Sequence, residues 1–342
     1  MNRWCRAGLL FCAVGLAAVC LAVEPTSISP NENPGEIRPT GVPHRSHSRA
    51  KSATTADSDS DASPSATPRP RRAHRSSAKT RESDEEPIPT QTVPGSVPRT
   101  IASSVIVINA SSGQVLYEKN ADQIRAPAST TKLLTGLIVA ESGYLDRPVT
   151  VAQTDTLAEP VKLNIKPGEI YQRIDLLRAL LVKSPNDVAR CLARDNAGSI
   201  EEFAAKMNQR AAAIGATHSH FVNPNGLPDA RQYTTARDLS MIARVAYTNP
   251  TIRSIVCLSQ LMFRYANGRT RELENTNKLL KRYPYCNGMK TGYTEAAGKC
   301  LVASGSRPGK DIIVVVLGDS HSGVWRDAGN LLAWALWSPS AG

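Results

Sequence analysis

No Cys-x-x-Cys pair occurs anywhere in the chain, so neither a zinc knuckle nor a thioredoxin-type redox site is supported. Of the seven cysteines, Cys5, Cys12 and Cys20 fall in the first 23 residues, leaving Cys191, Cys257, Cys286 and Cys300 beyond them. No internal repeat is found, which excludes a repeat architecture. Long apolar runs are scarce too. The longest, the 17 residues from Ala7 to Val23, follows Arg3 and Arg6 and reads as a signal sequence with a tolerable cleavage site at Ala22. It just reaches the lower limit for spanning a bilayer, so an uncleaved membrane anchor is the alternative. Either way the chain is expected to be exported, to the periplasm or the outer face of the cytoplasmic membrane.

Apolar side chains are also sparse from Glu24 to Arg99, where Pro, Ser, Thr, Arg and Asp crowd together, as in "TADSDSDASPSATPRPRRAHRSS". Too little surface can be buried there to offset the entropy of ordering the backbone, and residues 24–99 read as a disordered spacer. With 11 Lys or Arg against 10 Asp or Glu, it is nearly neutral. Its "RPRRAHR" patch, lying behind a signal sequence, suits anionic lipid or wall polymer better than nucleic acid, and no nucleic-acid partner is expected. Residues 100–342 carry 28 Lys or Arg against 20 Asp or Glu, a balance that favours an anionic partner.

That remaining stretch is long enough for one large core. "SSVIVINASSGQVLYEKNAD" reads as a β-hairpin, Val105 to Asn109 and Gln114 to Lys119 about a Ser-Ser-Gly turn. Helical periodicity follows over Thr130 to Glu141, Ile174 to Val182, Asp187 to Asp195, Ser199 to Ile214 and Thr235 to Thr248. Strands return in "CNGMKTGYT", "KCLVASGS" and "DIIVVVLG", before a last helix from Val324 to Trp337. Strands at both ends with helices between them predict one α+β domain, its sheet built from the two ends of the domain with a helical lobe inserted.

Three short motifs bear chemistry. In "RAPASTTKLLTG", Ser129 and Lys132 stand one helical turn apart, an arrangement that stacks hydroxyl and amine on one face. A hydroxyl is a poor nucleophile at neutral pH, and the amine could accept its proton. "LLVKSPNDVARCLAR" places Ser184 and Asn186 between two helices, where a cap would also explain them. "GMKTGYTEAAG" puts Lys290, Thr291 and Gly292 on a strand, where a lysine can equally guard an edge. Each motif alone has a plain structural explanation. In order, with spacings of 55 and 106 residues, Ser-x-x-Lys, Ser-x-Asn and Lys-Thr-Gly make the triple of penicillin-recognising serine enzymes.

The chain thus resembles the serine-type D-alanyl-D-alanine carboxypeptidases, the low-molecular-mass penicillin-binding proteins, over nearly all of residues 100–337. Phrases such as "ASSGQVLYEKNAD", "HFVNPNGL" and "AAGKCLVAS" extend the likeness between the motifs. The resemblance implies a penicillin-binding protein/β-lactamase-like fold and acyl transfer without cofactor or metal. In that reading Ser129 attacks the carbonyl between two terminal D-alanines, D-alanine leaves, and water hydrolyses the acyl-enzyme. Lys132 is the expected base, its pKa lowered by burial and by the charge of Lys290. Ser184 suits a proton relay. Asn186 would hold the substrate peptide bond, Lys290 and Thr291 the terminal carboxylate, and Gly292 would keep the strand edge bare for the substrate. The family's oxyanion hole maps to the N–H groups of Ser129 and Tyr293. Implied partners are peptidoglycan stem peptides and β-lactams, with membrane contact through the N-terminal segment.

Alternatives keep the same residues. A D,D-endopeptidase would cleave cross-links instead. A β-lactamase would need a glutamate to activate the deacylating water, and "EPVKLN" (159–164) lies before Ser184 with one residue too many. A non-catalytic binding module would carry a broken motif. Four further expectations follow. Pro185 should hold Ser184 extended. Arg326 either binds the carboxylate or pairs at the surface with Asp327. "THSHF" lacks an acidic or cysteine ligand that would make His218 and His220 a zinc site. No disulfide is expected, because a turn centred on Ala296 would put Cys300 opposite Gly292 and Cys286 near Ser306.

Overall fold

A computed structural model describes residues 95–338. The predicted export segment, 1–23, and the spacer up to residue 94 lie outside the described residues. Thr100 and Ile101 anchor the chain to the domain: Thr100 Oγ1 and Ile101 N–H both donate to Asp327, at 2.6 and 2.7 Å.

The first hairpin is β1 (Ser104–Asn109) and β2 (Val115–Lys119), its turn held by Asn109 Oδ1 accepting from the N–H groups of Ser111 and Ser112. A single 3-10 turn, Ala128–Thr131, runs into α1 (Lys132–Glu141). After it come β3 (Pro148–Thr150) and β4 (Ile170–Gln172), paired with each other, then α2 (Arg173–Lys183), α3 (Asn186–Ala197) and α4 (Ile200–Ile214). Ser199 caps α4 and Thr235 caps α5 (Ala236–Thr248), each side chain accepting an N–H three residues on, so both predicted helices begin at their caps. Next are α6 (Pro250–Val256), β5 (Gln260–Arg264), β6 (Thr270–Glu274) and α7 (Leu279–Arg282). The domain closes with β7 (Cys286–Thr294), β8 (Gly298–Arg307), β9 (Lys310–Asp319) and α8 (Gly323–Trp337).

The main sheet has the order β2-β1-β9-β8-β7, antiparallel throughout, so the two ends of the domain do build it. β9 lies at its centre and is apolar on both faces. Ile312, Val314 and Val316 join Val105 and Val107 against Leu331, Leu332 and Leu336 of α8. Ile313, Val315 and Leu317 join Ile106 and Ile108 against the helical lobe, where Ile242 of α5 shares their core. This alternation is the period-two geometry of a strand buried on both sides. Each such side chain contributes about 1.5–3 kcal/mol by leaving water.

β7 is one of the two edge strands, and its neighbour β8 fixes the cysteines. Gly292 stands opposite Cys300, as expected, while a bulge between Cys286 and Gly288 sets Cys286 against Gly305. Cys191, Cys257, Cys286 and Cys300 are all free thiols.

Candidate active site

Ser129 sits in the 3-10 turn ahead of α1, not in the α-helix itself. The turn is fixed from two sides. Ala128 adopts φ +47°, a conformation that strains a residue with a Cβ. Gly226, at φ +78°, presses so close that a Cβ there would lie 1.8 Å from the Ala128 carbonyl oxygen and 3.0 Å from Ser129 N. On the opposite side a Cβ on Gly292 would lie 2.9 Å from Ser129 N. Only glycine fits at either place. The expectation that Gly292 bares the strand for a substrate is thus refined: the backbone it admits is that of the nucleophile's own turn.

Lys132 is fully buried, and its Nζ lies 2.9 Å from Ser129 Oγ, 2.7 Å from Asn186 Oδ1 and 2.7 Å from the Asn225 carbonyl oxygen. Burial, then the charge of Lys290, drives its pKa well below the ordinary lysine value, against a smaller opposing effect of Asp187. A neutral amine has two N–H groups and one lone pair. Asn186 Oδ1 and the Asn225 carbonyl only accept, so they take the two hydrogens, and the lone pair is left facing the one partner with a proton to give, Ser129 Oγ.

The lysine's partners are themselves held. Asn186 Nδ2 donates to the Glu159 carbonyl, and its own carbonyl accepts from Asn225 Nδ2 at 2.7 Å. Asp187, fully buried beside it, accepts from the N–H groups of Leu163, Asn164, Ile165 and Val188, pinning the 159–165 loop to α3. Asn186 therefore supports the base rather than standing free for a substrate, although its amide retains one further hydrogen and lone pair.

Ser184 is the C-cap of α2, with φ +67° and ψ +33°. The extended backbone expected ahead of Pro185 is not found. Proline disfavours the right-handed helical region for its predecessor, and the chain turns instead through the left-handed region. There Ser184 N–H closes α2 on the Ala179 and Leu180 carbonyls. Its Oγ is buried with no hydrogen-bond partner among the described residues, so it makes no bond to Ser129 or Lys132.

β7 supplies the remaining residues. Lys290 is buried, its Nζ donating to the Thr291 carbonyl at 3.0 Å, and burial lowers its pKa to about 7. Thr291 Oγ1 bonds Thr276 Oγ1 at 2.6 Å. Tyr293 is exposed, its ring against His321 and under the Lys299 ammonium, 4.3 Å from the ring centre. Residues 129, 132, 186 and 290 are thus gathered around one buried lysine amine.

Sequence reasoning missed the 222–228 loop as machinery. Asn223 Oδ1 accepts from the N–H groups of Asn225, Gly226 and Leu227, folding a tight turn that aims the Asn225 carbonyl at Lys132. Asn-Pro-Asn-Gly is a legible turn signal, but nothing in it announces a carbonyl acceptor for a lysine. The other side features fall away from the site. Glu159 is paired with Lys162 and largely exposed, and Arg326 pairs with Asp327 at 3.0 Å. His220 Nδ1 contacts the Arg231 carbonyl.

A family model described as D-alanyl-D-alanine carboxypeptidase matches residues 91–321. The chain belongs to the D-alanyl-D-alanine carboxypeptidase family. It is accordingly a serine-type hydrolase of the D-alanyl-D-alanine bond, with the α+β fold of the penicillin-binding proteins. A D-alanyl-D-alanine carboxypeptidase of Mycobacterium tuberculosis is 35% identical over 260 residues, covering 74% of this chain and 88% of that protein. One from Escherichia coli is 32% identical over 257 residues, but the chain spans only 62% of its length. Among solved structures, the Streptomyces K15 DD-transpeptidase superposes with a TM-score of 0.67 at 28% identity, covering 70% of this chain and 99% of that one.

Proposed function

We propose that this chain removes the terminal D-alanine from peptidoglycan stem peptides through an acyl-enzyme on Ser129, outside the cytoplasmic membrane. The observation that carries the reading is the lysine amine of residue 132, buried and bonded to Ser129 Oγ and two acceptor-only oxygens. As Oγ attacks the carbonyl, its proton passes to Lys132. The N–H groups of Ser129 and Tyr293 receive the developing oxyanion. Ser184, whose hydroxyl is uncommitted in the resting protein, relays the proton to the departing D-alanine nitrogen. Water then repeats the sequence against the ester. Lys290, buried with only a backbone acceptor, provides the charge that draws the substrate carboxylate to β7.

A β-lactam offers its strained amide to the same hydroxyl. Export and membrane contact rest on the basic and apolar segment at 1–23, and the spacer after it would set how far the domain reaches into the wall. Labelled penicillin should acylate Ser129, as read by peptide mapping, and a wall pentapeptide should release D-alanine. A label on another serine, or equal labelling of Ser129→Ala, overturns the assignment. Conversion of cross-linked dimers into monomers, with no D-alanine released from the pentapeptide, would instead make the protein an endopeptidase.

A further inference from the structure

Between β6 and α7 the chain runs Asn275-Thr276-Asn277, and these three residues tie several elements together. Asn275 donates its N–H to the Ser259 carbonyl at 2.9 Å and its Nδ2 to the Leu258 carbonyl at 2.8 Å, just ahead of β5. Thr276 donates its N–H to the Val182 carbonyl at 3.1 Å, two residues before Ser184. Asn277 is buried, its Nδ2 donating to the Gly288 carbonyl of β7 at 2.9 Å and its Oδ1 accepting from the N–H of Leu279. Backbone and amide groups thus fix the segment without help from the Thr276 side chain. That side chain makes one bond among the described residues: its Oγ1 accepts from Thr291 Oγ1 at 2.6 Å.

The count of protons at this pair has a chemical consequence. Two hydroxyls hold two protons, and one is spent between them. Thr291 spends its own on Thr276, while the proton of Thr276 has no acceptor among the described residues. Thr291 is therefore held at both polar ends, its carbonyl by Lys290 Nζ and its hydroxyl by Thr276. A carboxylate offers only acceptors, so one arriving at Thr291 in this state meets lone pairs where it needs a donor. Rotation of the two O–H bonds reverses the chain. Thr276 then donates to Thr291, and the proton of Thr291 is released toward the carboxylate, with no hydrogen bond lost. A hydroxyl that is itself receiving a hydrogen bond is the stronger donor, because bonds in a chain polarise one another.

We infer that Thr276 is a positioning residue for substrate binding, which holds the Thr291 hydroxyl and supplies the proton that lets it turn to the substrate's terminal carboxylate. The inference rests on the D,D-peptidase reading above, in which that carboxylate binds at Lys290 and Thr291.

The test measures D-alanine release from an acetylated tripeptide ending in D-Ala-D-Ala, with competent enzyme counted by labelled penicillin taken to completion. Thr276→Val keeps the shape of the side chain and the N–H bond to Val182 but has no hydroxyl. It should raise KM by about two- to tenfold, the worth of one net hydrogen bond, with kcat little changed. Thr276→Ser should bring KM back close to the wild-type value. In a Thr291→Val background the Thr276→Val change should cost nothing further, since the hydroxyl it serves is gone. A wild-type KM in Thr276→Val, or an equal loss from it with and without the Thr291 hydroxyl, overturns the role and leaves the peptidase reading standing. Absence of D-alanine release from the wild-type protein overturns both.

Discussion

Replacing Gly292 with alanine should separate activity from stability. The added Cβ would lie 2.9 Å from Ser129 N and 3.0 Å from both Thr130 N and Ala128 Cβ. Ordinary contact lies near 3.5 Å, so β7 and the Ser129 turn must part by roughly 0.5 Å. An oxyanion donor acts only within about 2.7–3.1 Å of the charge it stabilises, and losing one costs about 10²–10³-fold. Acylation by a fluorescent penicillin should therefore slow by about 10²-fold, measured as a second-order rate constant. Stability should fall less than activity, although the clashing atoms are backbone and must shift. Gly292 is not among the glycines with positive φ, so alanine meets no backbone penalty there and gains about 0.4–1 kcal/mol from a less disordered unfolded chain, against the cost of the strained contacts. Gly226→Ala is the contrast, since its Cβ would meet backbone atoms at 1.8 and 2.3 Å at φ +78°, and both folding and acylation should suffer. A Gly292→Ala protein that unfolds normally and acylates at the wild-type rate would refute the role assigned to the Ser129 N–H.

Three further outcomes are expected. Lys132 must shed a proton to act and Lys290 must keep one to attract a carboxylate, so kcat/KM should rise as the first titrates and fall above about pH 7 as the second does, with Lys290→Gln abolishing the falling limb. Between about pH 7 and 10.5 the unfolded chain holds a proton on residue 290 that the folded chain has released, so stability should rise with pH across that window, and denaturant titrations of Lys290→Met should show a smaller rise. Ser184→Ala removes a buried hydroxyl without a partner, so chemical unfolding should show equal or greater stability, up to about 1 kcal/mol, while D-alanine release slows; a clear loss of stability would mean the hydroxyl has a structural bond. Alkylation without reductant should modify Cys257 in the native protein and Cys191, Cys286 and Cys300 once it is denatured, as read by intact mass; any of the four protected until reductant is added would contradict the free thiols.

The parts that local pattern controls were legible in the sequence. The first hairpin, the capped starts of α4 and α5, and the two-faced β9 follow from side-chain periodicity and cap chemistry within a few residues. The hairpin of β5 and β6 was not foreseen because its strands are mostly exposed, with Gln260, Arg264 and Thr270 in place of an apolar alternation. At the site, Ser129, Lys132, Asn186 and Lys290 were visible as side chains of a motif. The Asn225 carbonyl, 93 residues from Lys132, was not, because every residue has a carbonyl and only the folded chain says which one is used. Ser184 misled in a similar way: the local rule for a residue before proline named the region it avoids, and the helix end chose the one it takes.

The position of β9 in the sheet also sets when, during synthesis, the machinery can exist. Ser103 bonds Gly318, 215 residues further along the chain, and β1 gains its second neighbour only when β9 is made. Ser129, Lys132, Ser184 and Asn186 all emerge from the ribosome before β7, the strand against which the Ser129 turn is built. Contacts so distant in sequence form late and slowly. A growing chain therefore carries the nucleophile with no pocket around it until β7 and β9 have been made.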